Sequence, residues 1–108
     1  MPIFSNPLER AIKQRTGMNL TFTLHNIRIN GYQKGCSGFI RNNENGSVVY
    51  VDTEGTCIYP NQCLYRYADD EKDFHGYINH YVYSIEELAD AICKFLQKTP
   101  QECREWRS

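Results

Sequence analysis

From Asn19 onward the apolar residues recur at every second position, the repeat that sends alternate side chains to opposite faces of an extended chain. Leu20, Phe22 and Leu24 share one face, while Ile27 and Ile29 are offset by one, which predicts a bulge or bend near His25 and Asn26. The alternation returns as Tyr77, Asn79, Tyr81 and Tyr83 against Ile78, His80 and Val82, which predicts a strand with one aromatic face. Between these stretches Asn30-Gly31 and the run from Asn42 to Gly46 are hairpin signals, because Asn and Gly tolerate positive φ. Phe39 to Arg41, Ser47 to Val51 and Leu64 to Tyr67 read as further strands. The segment from Gly55 to Gln62, with Pro60, reads as irregular, and the acidic run from Ala68 to Asp73 reads as a solvated loop.

Helical patterns bracket the strands. Ser5 or Asn6 is placed to cap a helix, Pro7 stands where its missing donor costs nothing, and Leu8, Ala11 and Ile12 form one apolar stripe before Gly17. Ser84-Ile85-Glu86-Glu87 is a capping box, followed by Ile85, Leu88, Ile92, Phe95 and Leu96 at helical spacing and by Lys94, Gln97 and Lys98 near the end. Thr99-Pro100-Gln101-Glu102 repeats the start signal and predicts a short last helix carrying Cys103 and Trp106 back onto the body. The expected fold is α+β: a small antiparallel sheet of four to five strands, with an N-terminal helix and a C-terminal helix packed on one face. The other face is expected to be free and populated by Tyr, Asn and Arg. With 108 residues, 41% of them hydrophobic, one globular domain over residues 1–108 with a packed core is expected.

Several function classes find no signature here. No run approaches the ~18 apolar residues that would span a bilayer, and Met1 to Pro7 lacks the layout of a secretory signal, so a cytoplasmic protein with no membrane partner is expected. The five Cys include no Cys-x-x-Cys, which argues for reduced thiols over disulfides or zinc, and Cys93 falls among the apolar positions of the last long helix. His75 and His80 have opposite strand parity, a poor geometry for a shared metal. Asp69, Asp70, Glu71 and Asp73 lack the ligand spacing of an EF-hand. The glycine-containing stretch Gly31 to Gly38 is followed by a strand pattern and not a helix, so it reads as a turn between strands and not as a phosphate loop. No catalytic residue, metal or cofactor is expected.

What remains is surface chemistry. The net charge of −1 is unevenly distributed: Arg10, Lys13, Arg15, Arg28, Lys34 and Arg41 oppose Glu9 alone over residues 1–42, whereas ten acids oppose only Arg66 and Lys72 over residues 43–90. If the basic ends meet, one face attracts phosphates; if folding interleaves them, the surface is simply mixed. Aromatic and basic residues alternate, and rings that stack on bases beside cations that track phosphates are how single strands are commonly held. Arg10, Lys13, Arg28, Tyr32, Lys34, Arg41, Tyr77 and Tyr81 are the candidate nucleic-acid-binding residues. The competing explanation is ordinary sheet composition, since Tyr favours half-buried strands.

The stretch Met18-Asn19-Leu20-Thr21-Phe22-Thr23-Leu24-His25-Asn26-Ile27-Arg28-Ile29-Asn30-Gly31, with Arg66-Tyr67-Ala68-Asp69-Asp70-Glu71-Lys72-Asp73, resembles the small proteins encoded on phages and staphylococcal cassette-type mobile elements. The resemblance covers about half the chain, is one of texture, and carries no functional residues over. It implies either a small non-enzymatic accessory protein that binds a replication enzyme, such as a polymerase or primase, together with single-stranded nucleic acid, or a protein-only inhibitor of a host enzyme. In the second case the acidic run from Asp69 to Asp73 imitates nucleic-acid charge.

Overall fold

A computed structural model describes residues 7–29, 32–53, 62–73 and 77–104, with side chains left aside over 26–29 and 32–34. Helix α1 (Pro7–Arg15) leads into strands β1 (Leu20–Ile29), β2 (Tyr32–Asn42), β3 (Val48–Thr53), β4 (Cys63–Ala68) and β5 (His80–Val82), followed by α2 (Ile85–Leu96) and α3 (Pro100–Arg104). The five strands form one antiparallel meander in the order β1-β2-β3-β4-β5. This is the expected α+β fold.

Period-two burial fixes which side of the sheet the helices cover. Leu20, Phe22 and Leu24 of β1, Ile40 of β2, Val49 and Val51 of β3, and Tyr65 and Tyr67 of β4 share one face through the register Phe22↔Ile40↔Val49↔Tyr67. On that face they pack with Leu8 and Ile12 of α1 and with Leu88, Ile92, Phe95 and Leu96 of α2, all completely or nearly completely buried. The cap of α2 is as expected, with Ser84 Oγ accepting from the Glu87 N–H at 3.0 Å. The second capping box is reciprocal: the Thr99 N–H donates to Glu102 at 2.9 Å and the Glu102 N–H to Thr99 at 3.3 Å. Cys103 is buried, while Ser5, Asn6, His75 and Trp106 lie outside the described residues.

The other end of α2 is satisfied by the β2–β3 turn. Asn42 and Asn45 both donate side-chain N–H groups to the Leu96 carbonyl, at 2.8 and 3.0 Å, and Asn45 and Ser47 reach the Lys98 carbonyl. A helix leaves its last carbonyls without partners, and here an asparagine-rich turn supplies them. Gly46, at φ 81°, allows that turn to close.

Three local expectations change. First, the glycine-containing stretch is no separate turn: residues from Tyr32 to Asn42 form one strand, with Gly35 and Gly38 inside it. A Cβ on Gly38, whose φ is 147°, would stand 2.0 Å from the Thr23 carbonyl oxygen, and one on Gly35 would stand 1.8 Å from that of Thr53, so glycine lets the neighbouring strands close in. The bulge falls between Ile27 and Arg28, just beyond the expected position. The hairpin at Asn30-Gly31 lies outside the described residues, but the strands it would join pair through Ile29↔Tyr32.

Second, the last strand is short. Only His80–Val82 pairs with β4, and Tyr77 leaves the alternation to set its ring edge-on against Tyr67, with centroids 4.9 Å apart. Its hydroxyl donates to the Asp69 carboxylate at 3.0 Å. Third, the middle of the sheet face away from the helices is not free: Phe39, Val48, Asp52, Arg66 and Ala68 project there and are all buried, while Thr21, Thr23 and Tyr81 toward its edges are exposed.

Candidate binding surface

The predicted basic surface is divided by the sheet. Arg10 and Lys13 lie on α1, on the helix side, and Lys13 sits 5.5 Å from the centre of the Phe22 ring. Arg41 has the strand parity opposite to Ile40 and Asn42, so it projects from the other face. Arg28, Tyr32 and Lys34 lie on the backbone of β1 and β2, and their side chains fall outside the described residues. Tyr77 and Tyr81, expected on one face, are separated by the turn ahead of β5: Tyr77 packs toward the core through Tyr67 and Tyr81 is open. The structure therefore does not gather these eight residues into one track.

Among the cations of residues 1–42 whose side chains are described, Lys13, Arg15 and Arg41 already have anionic partners. Lys13 pairs with Glu9 at 2.7 Å, one helical turn away. Arg15 bridges the two helices, with Nε 2.7 Å from Asp90 and a second contact to Glu86. Arg41 grips Glu71 by a forked contact, with Nε 3.0 and 3.1 Å from the two carboxylate oxygens. That contact holds the Glu71 carboxyl below the usual carboxylate range. Among the described residues Arg10 is exposed and has no ion-pair partner.

Arg66 has a different role from the one its place among tyrosines predicted. Its guanidinium lies 4.7 Å from the centre of the Tyr50 ring and donates to the carbonyls of Tyr67 and Asp73 at 2.9 and 2.8 Å. It is only 4% exposed, and burial pulls its pKa down. A cation enclosed in this way closes the acidic loop against the sheet and is withheld from any ligand.

The acidic run is accordingly a built loop and not a wholly solvated one. Glu71 is held by Arg41 and Asp73 lies 4.0 Å from Arg66, while Asp73 also accepts from the Asp69 N–H at 3.0 Å. Only Asp69 and Asp70 among its carboxylates are exposed. This reduces what the loop offers as a mimic of nucleic-acid charge.

One surface feature is left without a structural explanation. Ile78, Tyr81 and Tyr83 are 49%, 47% and 56% exposed at the β5 edge, the only large hydrophobic side chains so exposed among the described residues. Tyr81 projects from the non-helical face, since its neighbours His80 and Val82 point toward the helices. The carboxylates nearest in sequence, Glu86 and Glu87, stand in the first turn of α2, where Glu86 pairs with Arg15 and Glu87 belongs to the Ser84 cap. Tyr83 was grouped with Tyr81 by parity in the sequence, whereas Ile78 was missed because a strand would have placed it with the core side chains.

His80 is buried on the helix face of β5, stacked on Tyr65 with ring centroids 5.1 Å apart, and its Nδ1 has no hydrogen-bond partner among the described residues. Burial lowers its pKa. Among the described residues no group of three or more His, Cys, Asp or Glu could hold a metal ion, and no helix is long and apolar enough to cross a membrane. Cys36, Cys63, Cys93 and Cys103 are buried, with burial raising the pKa of Cys93 and Cys103. No family model, curated protein or solved structure matches the chain.

Proposed function

We propose that the chain is a non-enzymatic accessory module that docks a protein through the β5 edge. The observation carrying this reading is the exposure of Ile78, Tyr81 and Tyr83 on and beside β5. Exposed tyrosines are efficient contact residues, because a large rigid ring loses little conformational entropy on binding and its hydroxyl remains available to a polar rim. The resemblance to small proteins of mobile elements makes a polymerase or primase the first partner to test.

Single-stranded nucleic acid is a second ligand for the same rings, since Tyr81 and Tyr83 offer stacking faces. Electrostatics works against it there. The basic residues proposed to follow phosphates lie on two sides of the sheet, and Lys13 and Arg41 already hold carboxylates.

The test titrates a candidate replication enzyme and a labelled single-stranded oligonucleotide separately against the native chain and the Tyr81→Ala/Tyr83→Ala double variant. The protein-docking reading expects enzyme binding to fall at least tenfold in the folded variant. Native-strength enzyme binding by the variant would remove the β5 edge from the interface. Oligonucleotide binding that falls with ring removal and with rising salt, without any enzyme binding, would favour the nucleic-acid role.

A further inference from the structure

We infer that the outer edge of β1 is a self-association surface, where a second copy of this chain pairs antiparallel about a two-fold axis at Phe22. β1 is ten residues long, and among the described residues no strand pairs with its outer side. An unpaired edge of that length presents a row of N–H and C=O groups to any extended chain.

The hydrogen-bond phase identifies those groups. The Asn43 N–H donates to the Asn19 carbonyl across the β1–β2 ladder, while the Asn42 N–H donates to Ser47 on the opposite side. Bonded pairs recur every second residue in an antiparallel ladder, so Thr21 and Thr23 turn their backbone groups inward to β2. Leu20, Phe22 and Leu24 turn theirs outward.

The side chains favour a second copy over an unrelated strand. Leu20-Thr21-Phe22-Thr23-Leu24 reads the same in both directions. Antiparallel pairing centred on Phe22 therefore sets Leu20 against the partner's Leu24, Phe22 against its counterpart, and Thr21 against the partner's Thr23. On the helix face Leu20, Phe22 and Leu24 are only partly buried, packed against the core on one side, and the mate strand would cover the other. On the opposite face Thr21 and Thr23 are exposed; Thr21 Oγ1 is hydrogen-bonded to the Asn43 side chain, and the Thr21–Thr23 pairing across the axis sets small β-branched side chains against each other on that face.

Charge is compatible with this arrangement. No ionisable residue interrupts Leu20 to Leu24. The charges placed nearest are Lys13, over Phe22, with its partner Glu9; Arg41, opposite Thr21 in the β1–β2 register and held by Glu71; and Glu44, which accepts from the Asn19 N–H. Both cations are paired with carboxylates within each copy, which limits repulsion between like charges across the axis. Strand pairing alone buries less than the ~800 Å² per partner of a standard interface, so a reversible dimer in the micromolar range is expected.

The experiment is sedimentation velocity of the full chain from micromolar to near-millimolar concentration, beside Thr21→Lys/Thr23→Lys and Thr21→Glu/Thr23→Glu. Both sites are exposed and Thr21 gives up only its contact with Asn43, so circular dichroism is expected to be unchanged and thermal unfolding, measured alongside, to fall little. The native chain is expected to dimerise with rising concentration, each charged variant to lose at least tenfold in association, and an equimolar mixture of the two variants to recover it as a heterodimer. A native chain monomeric throughout, or charged variants that dimerise as well as the native chain, would overturn the inference. Association lost in Tyr81→Ala/Tyr83→Ala and kept in both charged pairs would assign self-association to the β5 edge instead.

Discussion

The two faces of the sheet are closed by different physics. On one, α1 and α2 press aliphatic and aromatic side chains into the rows made by Phe22, Ile40, Val49 and Tyr67, and the side chains that meet there are mainly apolar. On the other, a small cluster of Phe39, Val48, Ala68 and Tyr50 is accompanied by the buried Arg66 and by a loop that Arg41 and Arg66 hold through Glu71 and Asp73. The helix face depends on the removal of apolar area from water, which is non-directional and tolerant. The loop face depends on charged groups whose burial is favourable only while every partner is present.

The largest effect that separates the two faces is expected from Phe95→Ala. Phe95 is 2% exposed and meets Tyr65 edge-on at a centroid distance of 5.8 Å. Truncation should cost about 3 to 5 kcal/mol, as cavities left by large aromatic residues do. Denaturant unfolding measures it, and a change below about 1 kcal/mol would show that α2 is not the main cover of that face. Arg66→Met keeps most of the volume and removes the cation, and should cost about 2 kcal/mol by leaving the Tyr67 and Asp73 carbonyls without their donor. Its readout is local as well: hydrogen exchange over residues 66–73 should accelerate while α2 stays protected. Equal loss of protection in both regions would mean that the faces do not behave separately.

This division also explains what could be read from the residues in order. The alternation of Leu20, Phe22 and Leu24, the stripe of Leu88, Ile92 and Phe95, and both capping boxes are patterns complete within one element, so the helix face was legible. The ion pairs of the loop face join residues far apart in the chain, Arg41 with Glu71 for example, and no local periodicity reports them. Nothing in the sequence marks Arg66 as buried, because arginine is almost never buried unless paired, and its partners become visible only once β3 and β4 align. Tyr77 kept strand parity in the sequence, yet the contacts it makes with Tyr67 and Asp69 took it out of the strand. Of the candidate site, the sequence left open whether the tyrosines are exposed and whether the basic residues meet; Tyr81 and Arg10 are exposed, and Arg10 and Lys13 lie on the other side of the sheet from Arg41.

His80 brings acid sensitivity to the helix face. The unfolded chain takes up a proton near the ordinary imidazole value of about 6.5, whereas the buried ring resists it. The unfolded state therefore binds more protons as pH falls through that value, and stability should decline progressively until the lower folded pKa is passed. His80→Phe keeps a ring against Tyr65 and removes the unpartnered Nδ1, so it should flatten the change in melting temperature between neutral and mildly acidic pH. An unchanged pH profile in the variant would assign the sensitivity to another group.

The smallest expected effect tests the clamp at its exposed end. Arg41 and Glu71 are each about one-third exposed, with side-chain values of 32% and 33%, so solvent screens their attraction. Removing the pair by Glu71→Gln should cost ~0.5 kcal/mol in low salt and less in high salt. The sign with pH is opposite to a gain on acidification: the hydrogen bond from Arg41 lowers the folded pKa of Glu71, so its contribution is present above the unfolded carboxylate value of about 4.3 and is lost as pH falls through the folded one. Salt and pH dependence should vanish together in Glu71→Gln, while Arg66 keeps the base of the loop in place. A loss in Glu71→Gln as large as that in Arg66→Met would show that the clamp acts as one cooperative unit whose strength does not depend on the burial of its separate charges.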